Sequence, residues 1–123
     1  MSRQKLPDSE LEIMMVIWDS PSPVDSAYIM ERLDKSWVKP TVLNFLSRLC
    51  ERGFLACEKD GRKNLYHPLI ERGEYLKCES VSFFRKLHKS SLKSLITSLY
   101  DGNGVTRDDL NELKAFIEEY SND

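Results

Sequence analysis

At 123 residues, with 41% hydrophobic and 31% charged residues, the chain has enough apolar mass for one domain, or for a small domain with an appendage, and too much for a disordered segment. No window approaches the roughly 20 apolar residues that span a bilayer, and the opening MSRQKLPDSE lacks the apolar core of a secretory signal, so a cytoplasmic location without membrane insertion is expected. Cys50, Cys57 and Cys78 are odd in number and show no CxxC spacing, which argues for reduced thiols and against a disulfide framework or a structural zinc site.

The net charge of −2 is informative only by region. Between Lys35 and Lys63 stand seven basic residues (Lys35, Lys39, Arg48, Arg52, Lys59, Arg62, Lys63) and three acidic ones (Glu51, Glu58, Asp60), a local +4. From Glu74 onward seven basic residues meet nine acidic ones, a local −2. Basic charge gathered in one short stretch is the pattern of a single surface that meets phosphates.

Ser9 and Glu12 predict a capping box opening a first helix over about 9–19, with Leu11, Met14, Met15 and Trp18 as its core stripe. Ser20-Pro21-Ser22-Pro23 cannot continue that helix and reads as a stiff connector. A second helix is expected over about 25–33, with Ala27, Tyr28, Met30 and Leu33 able to pack. A third runs from Lys39 or Pro40 to Arg52, with proline in the first turn and Gly53 as the terminating left-handed residue. Val42, Phe45, Leu46 and Leu49 form its apolar stripe; Thr41, Asn44, Ser47, Arg48 and Glu51 fall on the other side.

Two strand-like runs, 54–59 and 64–68, flank an Asp60-Gly61 turn signal and predict a β-hairpin with Arg62 and Lys63 near its tip. Three short helices followed by such a hairpin make a winged helix-turn-helix, so the fold class is mainly α with a small β-hairpin. After Arg72-Gly73 the pattern is helical, interrupted once at 101–104. Its stripes are Tyr75, Cys78, Val81, Phe84 and Leu87, then Leu92, Leu95, Ile96 and Leu99, then Leu110, Leu113, Phe116, Ile117 and Tyr120, the last helix capped by Thr106. About fifty residues cannot bury that many large side chains alone, which predicts a homodimer through them. The domains are therefore a DNA-binding module over 1–73 and a helical dimerisation domain over 74–123.

Thr41, Asn44 and Arg48 lie on successive turns of one helix face, as a helix in the major groove requires, although a solvated polar face looks the same. Lys39, Arg62 and Lys63 are expected to bind phosphate. Trp18 and Trp37 sit beside apolar residues and read as core. His67 and His88 offer no metal-ligand spacing with the cysteines, and no phosphate loop or paired carboxylates accompany them, so neither enzyme activity, metal nor cofactor is expected.

The run from Leu11-Glu12-Ile13-Met14 to Val16-Ile17-Trp18, then Trp37, Thr41-Val42, Leu46, Arg48-Leu49 and Gly53, then Gly61-Arg62 and Tyr66, resembles the penicillinase-repressor (BlaI/MecI) family over nearly the whole chain. That resemblance implies a dimeric winged-helix repressor on a palindromic operator, with TACA and TGTA half-site elements, upstream of β-lactam resistance genes. It also implies a membrane sensor-protease whose signal leads to cleavage in the tail. Relatives cleave at an Asn-Phe pair, where this chain has Ser98-Leu99, and they commonly carry threonine where Asn44 stands. A sibling branch senses copper through CxC motifs near the C-terminus, and this chain has no cysteine after Cys78. The alternatives are a winged-helix repressor answering another signal such as a metal, and a winged-helix module that binds protein.

Overall fold

The computed structural model describes residues 5–121. In chain order the elements are α1 (Asp8–Trp18), α2 (Ser26–Arg32), α3 (Lys39–Glu51), β1 (Leu55–Asp60), β2 (Lys63–Pro68), α4 (Arg72–His88), α5 (Leu92–Asp101) and α6 (Arg107–Ser121). Two compact units result. Among the described residues one runs to Glu79 and the other begins at Ser80, so the division falls inside α4.

The first unit is built on Ile13, Met14 and Ile17 of α1, Ile29 of α2, and Val42, Leu46 and Leu49 of α3, each at most 1% exposed. Burying a side chain of this size contributes about 1.5–3 kcal/mol, so these seven supply the main drive for assembling the three helices. Only Met14 of the α1 stripe expected from sequence is buried; Leu11, Met15 and Trp18 are half-buried, and the core face is instead Glu10, Ile13, Met14 and Ile17. The Ser9 capping box does not form either. The helix begins at Asp8, its N-cap is Pro7, and no side chain caps it. Asp25 caps α2 by accepting from the Tyr28 amide at 2.8 Å. Within that helix the buried side chain is Ile29; Tyr28 and Met30 are half-buried and Ala27 is exposed.

The α3 stripe forms as expected at Val42, Leu46 and Leu49, with Phe45 half-buried and edge-on to Trp37 at a ring separation of 5.3 Å. Gly53 follows the helix at φ +81, a left-handed conformation in which a side chain is strained. The chain then enters an antiparallel hairpin in which Leu55 pairs with Pro68 and Asp60 with Lys63, leaving the two-residue loop Gly61-Arg62. Gly61 at φ +68 supplies the positive φ that such a tight loop demands. The hairpin is anchored on its far side by Val24, which exchanges two backbone hydrogen bonds with Tyr66 (3.0 and 2.7 Å). The proline-flanked connector thus serves as a minimal third strand.

Tyr75, placed by periodicity in the tail, belongs to the first core. It is 6% exposed, packs against Trp18 and Phe54, and its hydroxyl accepts from the Leu6 amide at 3.0 Å. Trp18 donates from its indole nitrogen to the Ile70 carbonyl at 2.9 Å.

The second unit is helical with two breaks rather than the one expected. Besides Gly102–Gly104, the chain turns at Lys89 and Ser90, both left-handed at φ 48 and 62. Ser91 then caps α5, accepting from Ser94 at 3.1 Å. Thr106 caps α6 as expected, in a reciprocal box with Asp109: the Thr106 hydroxyl accepts from the Asp109 amide at 3.1 Å and the Asp109 carboxylate from the Thr106 amide at 2.8 Å. Among the described residues from 80 onward no side chain is buried. Val81, Leu87, Leu92, Leu99, Phe116 and Ile117 are exposed, and Phe84, Leu95, Ile96, Leu110 and Leu113 are half-buried.

Candidate nucleic-acid interface

With Val42, Leu46 and Leu49 turned into the core, α3 leaves Asn44, Ser47 and Arg48 exposed and Thr41 half-exposed. These are short hydrogen-bonding groups and a guanidinium, the set that reads base edges and grips phosphates. Lys39, in the first turn of α3, lies apart from that row. It lines a cleft of about 280 Å³ together with Asp25, Ser26, Ala27, Leu43, Arg62, Lys63, Asn64 and Tyr66. The three expected phosphate ligands, Lys39, Arg62 and Lys63, therefore come together between the starts of α2 and α3 and the wing, while Thr41, Asn44 and Arg48 remain on the outer face of α3.

Residues from outside the basic stretch fold back onto it. Lys63 Nζ lies 3.5 Å from Asp25 Oδ2, Lys35 Nζ 3.6 Å from Glu12 Oε1, and Arg52 Nη1 2.9 Å from Glu10 Oε1. Among the described residues Lys39, Arg48, Lys59 and Arg62 have no such ion pair. The +4 of the sequence window thus overstates the free positive charge, and Lys63 is shared. Asp25 is the functional neighbour that sequence reasoning missed; its only signal was a helix-capping position two residues after Pro23. The Tyr28 amide holds its carboxyl below the usual value against desolvation, and the Lys63 ammonium adds to that.

Burial raises the Cys50 thiol and the Tyr66 phenol, so both remain protonated at neutral pH, the reverse of an activated nucleophile. Cys50, Cys57 and Cys78 are free. Among the described residues no group of three His, Cys, Asp or Glu side chains is disposed to hold a metal, and no helix is long and apolar enough to cross a membrane. Ser98 and Leu99 lie inside α5, their carbonyls accepting from Gly102 at 3.0 Å and Gly104 at 2.7 Å.

The family model described as penicillinase repressor matches residues 6–119. The chain is 30% identical over 120 residues to the penicillinase repressor of Bacillus licheniformis, covering 96% of this chain and 93% of the relative. It is 25% identical over 114 residues to the methicillin resistance regulatory protein MecI of Staphylococcus aureus (strain N315), covering 92% and 93%. Among solved structures it is similar to the DNA-binding domain of the repressor BlaI (TM-score 0.53). It is also similar to the monomeric form of Bacillus licheniformis BlaI in complex with the blaP half-operator (TM-score 0.52). Both are 32% identical and cover 61% of this chain and 94% of the other.

Proposed function

The chain belongs to the penicillinase-repressor family, and from that premise we propose that it is a sequence-specific transcriptional repressor of β-lactam resistance genes. The observation that carries the reading is the row of half-exposed Thr41 and exposed Asn44 and Arg48 on a helix whose other face is locked in the core, flanked by Lys39 and the basic wing. A relative of the same domain has been solved in complex with a half-operator, which supports DNA as the ligand. In this role Thr41 and Asn44 read base edges, and Arg48, Lys39, Arg62 and Lys63 hold phosphates.

In this reading the DNA-binding module, expected over 1–73, extends to Glu79 because Tyr75 packs in its core, and the helices beyond it form the dimerisation domain. Support for a homodimer comes from the absence of any buried side chain between residues 80 and 121, since a helical unit without a core needs a partner to cover its apolar faces. Two copies then match a palindromic operator. Repression is lifted by a membrane sensor-protease that leads to cleavage near Ser98-Leu99, a step that requires the end of α5 to unwind because both carbonyls are engaged there. The protein works in the cytoplasm without a cofactor.

The test is selection by the full-length chain from a pool of random duplexes, followed by affinity measurement across a salt series. Enrichment of a two-fold symmetric site is expected, with binding that weakens as salt rises. Enrichment of no sequence above background would refute it.

A further inference from the structure

Among the described residues Asp25 on α2, Ser91 on α5 and Thr106 on α6 are polar N-caps that each accept from the amide three positions on, while α1 starts uncapped behind Pro7. The helix assigned to the major groove has no polar cap either. Its N-cap is Val38, at φ −76 and ψ 157, with no side-chain capping bond. Valine is among the poorest residues for that position because it offers the first-turn amides nothing. It is also 64% exposed, so it gains no burial in return. A residue that breaks the local rule twice over, on the element that reads the ligand, is where a functional demand is expected to override stability.

A groove-reading helix enters with its N-terminal residues toward the base edges. Val38 stands one turn before Thr41, whose amide donates to the Val38 carbonyl at 3.1 Å, and Thr41 precedes Asn44 on the outer face. In the major groove the feature that an aliphatic side chain recognises is the thymine C5-methyl. We propose that Val38 is a specificity-determining residue that seats against a thymine methyl in each half-site. The inference rests on the DNA-binding reading above, and it adds an apolar contact to the polar ones assigned there.

The test begins with the duplex that the full-length chain itself selects from random DNA. Each thymine in turn is replaced by deoxyuridine, which removes the methyl and leaves the hydrogen-bonding edge intact. One position per half-site is expected to lose about fourfold in affinity, the transfer free energy of one buried methyl. In Val38→Ser and Val38→Ala that penalty disappears, while sensitivity at other positions stays. Val38→Ser also installs a better cap, so it should melt no lower than the parent, which separates lost contact from lost fold. Val38→Ala serves as the second variant, having no hydroxyl with which to form a replacement bond. A uracil penalty that persists in both variants, or a parent indifferent to uracil at every position, would overturn the assignment to Val38 alone. Failure to select any sequence would overturn the DNA reading and this inference with it.

Discussion

Glu10 is a carboxylate in the core of a small domain, and its partner Arg52 offsets the cost of burying it there. It is 1% exposed; one oxygen meets Arg52 Nη1 at 2.9 Å, and among the described residues the other, also buried, has no hydrogen-bond partner. Arg52→Ala strands the charge. Losing one member of a fully buried pair costs about 3–5 kcal/mol, and because the Arg52 side chain is 31% exposed the expected loss is about 2–3 kcal/mol. A domain of this size has a total stability near the low end of roughly 5–15 kcal/mol, so the melting point should fall by about 10–20 °C. Glu10→Gln removes the charge but keeps the shape and the acceptor, and leaves Arg52 to water; about 1 kcal/mol is expected. The double variant should then be more stable than Arg52→Ala alone. Urea unfolding of the full chain, followed by tryptophan fluorescence because Trp18 reports on the same core, measures all three. If Arg52→Ala costs no more than Glu10→Gln, the carboxylate is not stranded and the reasoning fails.

Asp25→Asn retains a good N-cap while removing the charge beside Lys63, so it should tighten binding to all DNA sequences alike, measured by fluorescence anisotropy on matched and scrambled duplexes. Because the folded Asp25 carboxyl titrates below 3.8, it stays charged at neutral pH; its stabilising contribution is complete above 3.8 and is lost as pH falls through the folded value, which acid unfolding of the parent against Asp25→Asn would detect. Arg62→Ala should lower the salt slope by about one unit, and Lys63→Ala by less because its charge is already shared with Asp25; equal decreases would refute the shared pairing, and slopes unchanged in both would remove the wing from the interface. Asn44→Ala should redistribute preference among single-base operator variants, at about 1–3 kcal/mol on the best site, whereas Arg48→Ala should weaken every sequence equally. Leu95→Asp should shift the sedimentation of the full chain toward monomer, since a buried carboxylate at a subunit contact costs several kcal/mol by order of magnitude.

The elements that were legible in the sequence are those whose signals are local. Gly53 ends α3 and Gly61 turns the hairpin because each backbone position demands positive φ, and glycine announces that demand. The α3 stripe was readable because its polar and apolar faces are cleanly divided. On α1 they are not: Leu11, Ile13, Met14, Met15, Val16, Ile17 and Trp18 put apolar groups nearly all round the helix, so periodicity could not choose the core face. The true face also includes Glu10, which any hydrophobic pattern rejects, and what makes it tolerable is Arg52, 42 residues away. The break at Lys89 and Ser90 escaped for the opposite reason. Neither residue favours the left-handed region, and neither glycine nor proline marks the turn.

Where the expected DNA-contacting residues fall in the fold was legible in the sequence; the charge around them was not. Every residue expected to touch DNA lies on α3 or the wing, because both are contiguous and their faces follow from local rules. The charge they present is a tertiary quantity. Glu12 and Asp25 come from α1 and the start of α2 to meet Lys35 and Lys63, and Glu10 withdraws Arg52 into the core. Two different uses of basic charge result. Arg52 is committed to the fold, since releasing it would strand a buried carboxylate. Lys63 is 71% exposed beside an acid that is itself only 22% exposed, so it can exchange Asp25 for a phosphate at little cost, surface ion pairs being worth about 0–1 kcal/mol. On the proposed DNA-binding role, affinity is expected to follow the lysines and arginines that remain available, Lys39, Arg48 and Arg62 fully and Lys63 in part, rather than the count of basic residues in the stretch.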